Sequence, residues 1–246
     1  MKASPEAQLK LLELADLDAE LSRLDHRRRA LPEAQEYGRL AARGGALADE
    51  LAMAEAEGSD LARELLKAER DVEQVRARIQ RDRTRLDTGQ VSSAKELESL
   101  QSEIASLQRR QGDLEEIVLG VMERQEEANH RQQALAAEQV KVAHDQEEAG
   151  ARRDAALAEI GEHAASAGKA RSAVASEIPA DLMALYERLR AQHTVGAAAL
   201  RRGRCEGGHL SLNTVDLARI RAAAPDEVLR CEECRRILVR TPESGL

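Results

Sequence analysis

The sequence has few of the residues that usually fill a globular core. Among its 246 residues there is no Trp, no Phe and only two Tyr. Aromatic rings bury large areas in compact domains, and they are the surfaces on which single-strand binding proteins stack bases. Their scarcity argues against most enzyme folds, against one large compact core and against nucleic-acid binding by base stacking.

Cysteine and long apolar runs are scarce as well. The three cysteines, Cys205, Cys231 and Cys234, all lie in the last fifth of the chain. An odd number argues against a disulfide framework and favours a metal or redox role. No apolar run is long enough for a transmembrane helix, and the N-terminus lacks the apolar segment of a signal peptide. We therefore expect a cytoplasmic protein that does not associate with membranes.

The residues that are abundant indicate long helices. Charged residues make up 33% of the chain, the net charge is -8, and Ala, Glu, Leu, Arg and Gln dominate, a composition typical of coiled coils. From residue 196 onward there are nine Arg and seven acidic residues, so this part carries +2 and the rest carries -10. The acidic helical part is expected to repel nucleic acid, whereas the basic C-terminal part is not.

Apolar residues recur at alternating spacings of three and four along two segments, residues 5–86 and 94–176. This heptad pattern predicts coiled-coil helices, and at 1.5 Å per residue each would be about 120 Å long. Pro32 is expected to break the first segment near its start. In the middle of the second segment, Gln, Ala and Arg occupy many core positions, which weakens a helix pair but can fix its register.

A turn separates the two segments. Residues 87–95 interrupt the apolar pattern with Gly and Ser, and Ser93 precedes Glu96 at the spacing of a capping box. Because the segments are nearly equal in length, we predict an antiparallel coiled-coil hairpin over residues 1–177 with its tip at 87–95. Two parallel dimeric segments are the alternative, and the oligomeric state stays open.

The chain changes character after the second helix. Pro179 disfavours helix at the residue before it, so residues 178–200 are predicted to form a short helix and connector. Short apolar runs and glycines then surround the cysteines in residues 201–246, which is the pattern of a small zinc-ribbon-like module. The predicted fold is therefore mainly α, with a long hairpin followed by this C-terminal module.

The cysteines have the spacing of a metal site. Cys231 and Cys234 form a C-x-x-C pair, which can occupy two corners of a tetrahedral zinc site, and Cys205 can supply a third. A second C-x-x-C pair would need a cysteine where Gly208 stands. The sequence leaves three possibilities open: His209 completes the zinc site, water completes it, or the ribbon holds no metal.

Several segments resemble a known family. They are residues 11–23 with their leucine repeat, residues 93–97, residues 178–189, and residues 203–205 together with 231–239. They are similar to bacterial C4-type zinc-ribbon proteins with a long N-terminal coiled-coil hairpin, a domain of unknown function. The resemblance covers almost the whole chain.

The resemblance implies a hairpin-plus-ribbon fold and a zinc site of four cysteines. Three of the four are matched, by Cys205, Cys231 and Cys234, and the fourth position is Gly208. It also implies a role in binding nucleic acid or in assembling other proteins, and some relatives are linked to flagellar gene regulation.

Two functions follow as hypotheses. The first is a non-enzymatic adaptor that binds a protein partner through the coiled coil and a partner or nucleic acid through the ribbon. The alternative is a regulator that binds RNA or DNA through phosphate contacts from arginines of the ribbon, namely Arg201, Arg202, Arg204, Arg235, Arg236 and Arg240. An enzyme is not expected, since no general base stands at a recognisable spacing and a coiled coil offers no pocket.

Overall fold

A computed structural model describes residues 1–246. It contains five helices: α1 (Pro5–Arg29), α2 (Pro32–Asp87), α3 (Ala94–Ser176), α4 (Ala180–Arg190) and α5 (Thr214–Ala222). Five short strands complete it: β1 (Ala197–Arg201), β2 (Arg204–Cys205), β3 (Leu210–Ser211), β4 (Leu229–Arg230) and β5 (Ile237–Arg240). The predicted fold class, a mainly α coiled-coil hairpin followed by a small C-terminal strand module, is confirmed. No helix combines the length and apolar character needed to span a membrane.

The helix ends follow local sequence signals. Ser4 caps α1 by accepting a hydrogen bond from the backbone N–H of Ala7, and two residues separate the end of α1 from Pro32, which begins α2. At the start of α3, Ser93 Oγ accepts a hydrogen bond from the backbone N–H of Glu96, whose carboxylate accepts one from the backbone N–H of Ser92. Glu96 therefore acts as part of a helix cap.

The chain divides into two compact units, and the first combines residues 1–35 with 150–246. Its core joins α1 and the end of α3 to α4 and to strands β1 and β5. Leu11, Leu14, Leu182 and Tyr186 are fully buried there. The only tyrosine of this unit thus fills the core where the hairpin helices meet the strand module.

The five strands form one sheet in the order β3-β2-β1-β5-β4. Strands β1 and β5 are parallel, and every other pair is antiparallel. A second core lies against this sheet and includes Leu200, Cys205, Ile220 and Leu238. The sheet matters for function because it brings β2 and β4, the strands next to the cysteines, into one module.

The second unit, residues 36–149, is a two-helix coiled coil of α2 and α3. Its buried side chains keep the predicted heptad spacing; on α2 they are Leu47, Ala54, Leu61, Ala68, Val72, Ile79 and Asp82. Ion pairs flank the core between matching heptad positions, as in Glu64–Arg124 at 2.7 Å and Arg76–Glu115 at 2.6 Å. Exposed pairs of this kind stabilise little, but they define an antiparallel register.

A polar contact crosses the core of this coiled coil. Gln132 of α3 donates a hydrogen bond from Nε2 to the backbone oxygen of Ala54 at 2.7 Å. A Cβ atom at Gly58 would lie 2.4 Å from the same Nε2, so the missing side chain at Gly58 leaves the space that the Gln132 amide occupies. This contact is a physical means by which a polar core residue selects one register.

Candidate metal centre

The three cysteines converge on one point of the strand module. Their Sγ atoms all lie within 4.8 Å of one another, and those of Cys205 and Cys234 are 3.6 Å apart. Two thiolates bound to one tetrahedral zinc at about 2.3 Å each are separated by about 3.8 Å. We call Cys205, Cys231 and Cys234 the cysteine cluster; its spacing is that of three ligands of a single metal ion.

Strand pairing and backbone hydrogen bonds hold Cys205 and Cys231. Cys205 ends β2 and is paired with Leu200 of β1. Cys231 follows β4 directly, and its N–H donates to the backbone oxygen of Arg236 while its carbonyl accepts from the N–H of Arg235. Arg235 takes a positive φ of 62°, which closes the turn that carries Cys234. Strands β2 and β4 and the turn after Cys231 therefore position the cluster.

The surroundings of Cys205 and Cys234 shift the pKa values of the two thiols in opposite directions. Burial raises the pKa of Cys205 to about 12, although backbone N–H groups of Gly207 and Gly208 oppose the rise. Burial also disfavours the thiolate of Cys234, but hydrogen bonds from the backbone of Arg236 and from the neighbouring thiols outweigh it, so the pKa of Cys234 is lowered. Without a metal, the Cys234 thiol therefore ionises at lower pH than the Cys205 thiol, and a bound cation would favour the thiolate of Cys205.

The donor set suits a thiophilic metal. Thiolates select zinc, copper(I) or iron–sulfur clusters over hard cations, and zinc takes four ligands in structural sites. The cluster supplies three of these ligands, and Gly208 stands where a fourth would be expected. His209, the predicted fourth ligand, is exposed, has a φ of 54°, and is not part of the group of converging ligand atoms. Its coordination stays a prediction.

The fold itself uses two of the six predicted phosphate-binding arginines. Arg240 donates hydrogen bonds to a series of carbonyl oxygens at and after the end of α5, those of Ile220, Ala223, Ala224, Pro225 and Glu227. Arg236 donates to the backbone oxygens of Val195 at 3.1 Å and Gly207 at 2.6 Å. Both guanidinium groups therefore hold the module together.

The other four arginines are exposed on the module surface. Arg201 pairs with Glu243 at 3.2 Å, and Arg235 lies 3.8 Å from Glu232. Arg204 donates to the backbone oxygen of His209, and Arg202 occupies the β1–β2 turn with a positive φ. Arg202 and Arg204 are the members of the set with no carboxylate partner among these contacts.

A buried polar cluster around Asp18 was not predicted from the sequence. Asp18 of α1 has a fully buried carboxylate that accepts hydrogen bonds from Tyr186 and Arg171 and pairs with Arg190 at 2.9 Å. Glu187 pairs with both arginines. The partners lie more than 150 residues from Asp18, so heptad spacing offers no signal for them. The cluster ties α1 and α3 to α4, next to the strand module.

Two family descriptions match this chain. Residues 14–194 match the CT398-like coiled coil hairpin domain, and residues 204–238 match the C4-type zinc ribbon domain. An uncharacterized protein of Mycobacterium tuberculosis is 39% identical over 98% of both chains. An uncharacterized protein of Mycobacterium leprae is 31% identical over 94% of this chain and 95% of its own.

Solved structures share the whole fold. A protein from Mycobacterium smegmatis is 36% identical, with a TM-score of 0.85 over 98% of this chain and 100% of its own. CT398 from Chlamydia trachomatis is 18% identical, with a TM-score of 0.76 over 96% of this chain and 98% of its own, and this likeness concerns the fold alone. The resemblance inferred from the sequence is thereby confirmed: the chain belongs to the family of bacterial proteins that join a CT398-like coiled coil hairpin domain to a C4-type zinc ribbon domain.

Proposed function

We propose that this protein is a non-enzymatic adaptor whose coiled coil binds a protein partner and whose zinc ribbon provides a second contact surface. The observation that carries the proposal is a group of exposed apolar side chains outside the heptad core, Leu66, Leu119 and Met122. We call them the apolar flank. A coiled coil needs only its core positions buried, so large apolar residues at outer positions have no role within the pair itself.

The register places these three residues on the same side. Arg76 pairs with Glu115 across one side of the coiled coil, and Leu119 and Met122 lie four and seven residues beyond Glu115, so they occupy the same helix face. Leu66 lies at the corresponding outer heptad position of α2. They are 49%, 60% and 49% exposed in chain order. Grouped apolar side chains of this kind are typical of protein-binding surfaces.

Affinity capture with matched variants tests the proposal. The full chain, a Leu119→Ser/Met122→Ser variant and a control, Glu116→Ser/Glu123→Ser, are used as baits, and helix content is checked by circular dichroism. We expect the apolar-flank variant to lose a defined set of captured proteins by at least tenfold, or about 1.4 kcal/mol, while the control retains it. Identical capture by all three baits, or none above background, would contradict the proposal.

The exposed arginines favour the alternative that the ribbon binds nucleic acid through phosphates. Arg202 and Arg204 lie in and next to the β1–β2 turn, both are exposed, and neither has a carboxylate partner among the contacts above. Guanidinium groups bind phosphates well. The module carries a charge of only +2, so any such binding would be weak and strongly dependent on salt.

Titration with labelled RNA and duplex DNA separates the two functions. Binding is measured at about 50 and 200 mM salt for the full chain, for Arg202→Gln/Arg204→Gln, and for Arg109→Gln/Arg110→Gln, which removes the same charge from α3. If the ribbon binds phosphates, only the first variant loses affinity. Equal losses in both variants would indicate non-specific attraction, and the absence of binding at low salt would exclude the alternative.

A further inference from the structure

The turn after Cys205 has the backbone of a metal-binding turn, but Gly208 stands where the second ligand side chain would be. Backbone N–H groups of Gly207 and Gly208 point toward the Cys205 sulfur. A Cβ atom at Gly208 would lie 3.7 Å from Cys234 Sγ, an ordinary contact distance, and 3.3 Å from Cys234 Cβ, a tight contact that a shift of a few tenths of an ångström relieves. A side chain at this position would therefore enter the cysteine cluster. The glycine supplies no donor atom on that side of the cluster.

Neither of the next two residues supplies a metal-donor atom beside Gly208. His209 is the next residue, but its side chain is exposed and its ring nitrogens lie outside the converging group. Its backbone oxygen accepts a hydrogen bond from Arg204, which holds the turn in this arrangement. Leu210, whose Cδ1 would be 3.5 Å from the added Cβ, offers no donor atom.

We propose that the metal centre is an open one: its fourth coordination position faces Gly208 and takes a thiolate from another molecule. This inference rests on metal binding by the cysteine cluster, which is part of the proposed function. The three cysteines form a set of soft ligands. A fourth thiolate is also a soft ligand, so it binds the same thiophilic metals. A further thiolate would make a divalent centre doubly negative, and the Arg236 guanidinium, which donates to the Gly207 oxygen at 2.6 Å, brings a positive charge to the residue before Gly208.

The proposal assigns Gly208 a specific role. A closed four-ligand site is structural, whereas a site with three protein ligands and an open position exchanges its fourth ligand. The ribbon could then attach to a cysteine-bearing partner through the metal, with Gly208 providing the access. Binding would break the thiol S–H bond and form a metal–sulfur bond in place of a water ligand, so the proton and the displaced water would leave to solvent.

Cobalt(II) substitution tests the proposal with the full chain kept reduced by a phosphine. The protein is loaded with Co²⁺, and 2-mercaptoethanol is added as the probe while the sulfur-to-cobalt charge-transfer band is recorded. We expect the band to grow by about one third, because the number of metal–sulfur bonds rises from three to four. The Gly208→Cys variant should start at the higher intensity and show no response to the thiol.

Each other outcome is decisive. If the natural chain binds Co²⁺ but its spectrum ignores the thiol, the position is closed and the proposal is overturned; a response that appears only in His209→Ala would identify His209 as the fourth ligand. Uptake of Co²⁺ by Gly208→Cys alone would show that the natural cluster needs a fourth protein ligand, which also overturns it. If neither protein binds Co²⁺, metal binding itself fails, whereas the adaptor role of the coiled coil is left intact.

Discussion

The hydroxyl of Tyr186 donates a hydrogen bond to the carboxylate of Asp18 over 2.7 Å, inside the core that joins the hairpin helices to the strand module. Both side chains are fully shielded from solvent. Asp18 lies on α1 and Tyr186 on α4, so one hydrogen bond connects elements that are 168 residues apart. The arginines Arg171 and Arg190 complete the surroundings of the carboxylate, which makes the burial of this charge tolerable.

Substituting Tyr186 should destabilise the first unit less than substituting Asp18. Tyr186→Phe deletes one donor and leaves both arginines, so we expect a loss of about 1–2 kcal/mol. Asp18→Ala removes the buried carboxylate from Arg171 and Arg190 and leaves them only the partly exposed Glu187, so we expect about 3 kcal/mol. Hydrogen exchange of the α4 amides measures both. Asp60→Asn, at an exposed pair, is the control and should change exchange little; an Asp18→Ala protein as protected as the natural one would refute this interpretation.

Because of Tyr186, the stability of the folded protein should depend on pH in the alkaline range. Burial, and then the hydrogen bond to Asp18, raise the pKa of Tyr186 above its usual value, which is about 10 in an unfolded chain. The folded protein therefore keeps the phenol proton where the unfolded chain releases it. This contribution to stability is complete below about pH 10 and is lost as the pH rises further.

Unfolding curves between pH 8 and about pH 11.5 check this sign. The natural chain should lose stability above about pH 10 relative to Tyr186→Phe, in which no phenol is buried at this position. Tyr37 is present in both proteins, so its own ionisation cancels in the comparison. Parallel curves over the whole range would mean that the buried phenol is not coupled to folding.

The sequence predicted much of this architecture because its signals are local. Heptad spacing, the break at Pro32 and the cap formed by Ser93 and Glu96 each involve residues within one or two helical turns, and each is found in the structure. The three cysteines also converge as their spacing indicated. By contrast, the contacts of Asp18, and the parallel pairing of β1 with β5, join residues far apart in the chain. Such pairings depend on tertiary packing, for which periodicity carries no information.

The arginines show a second limit of sequence reasoning. All six candidates look alike in the sequence, yet Arg240 satisfies carbonyl oxygens after α5 while Arg202 is exposed at a turn. The end of any helix leaves carbonyls unsatisfied, but the sequence does not reveal which distant side chain reaches them. Charge counts alone therefore overestimate the phosphate-binding potential of the module.

The Gly58–Gln132 contact predicts a non-additive pair of substitutions. Gly58→Ala gains about 1 kcal/mol of helix propensity, but in the natural chain the new methyl group displaces the Gln132 amide from the Ala54 oxygen, which costs a similar amount. We expect this single change to be nearly neutral. In a Gln132→Ala background the methyl group meets no amide, so Gly58→Ala should stabilise by about 1 kcal/mol.

A double-mutant cycle measured by urea unfolding gives the coupling between Gly58 and Gln132, expected to be about 1 kcal/mol. Gly112→Ala on α3 is the control, because nothing lies within 4 Å of a Cβ atom there. That change should stabilise equally with or without Gln132. If Gly58→Ala and Gln132→Ala simply add, the amide does not occupy the space beside Gly58 in solution.

Once a chelator has removed any metal, the three thiols should react in a defined order. Cys234 is partly exposed and its pKa is lowered, whereas Cys205 is buried and its pKa is raised to about 12. Since the thiolate is the nucleophile, limiting iodoacetamide near neutral pH should label Cys234 first, with Cys205 and Cys231 reacting only after unfolding. Peptide mass spectrometry gives the order directly. A urea-unfolded sample serves as the control, in which all three should react at similar rates. Preferential labelling of Cys205 in the folded protein would mean that the sheet around β2 does not shield it, and that the cysteine cluster depends on the metal for its assembly.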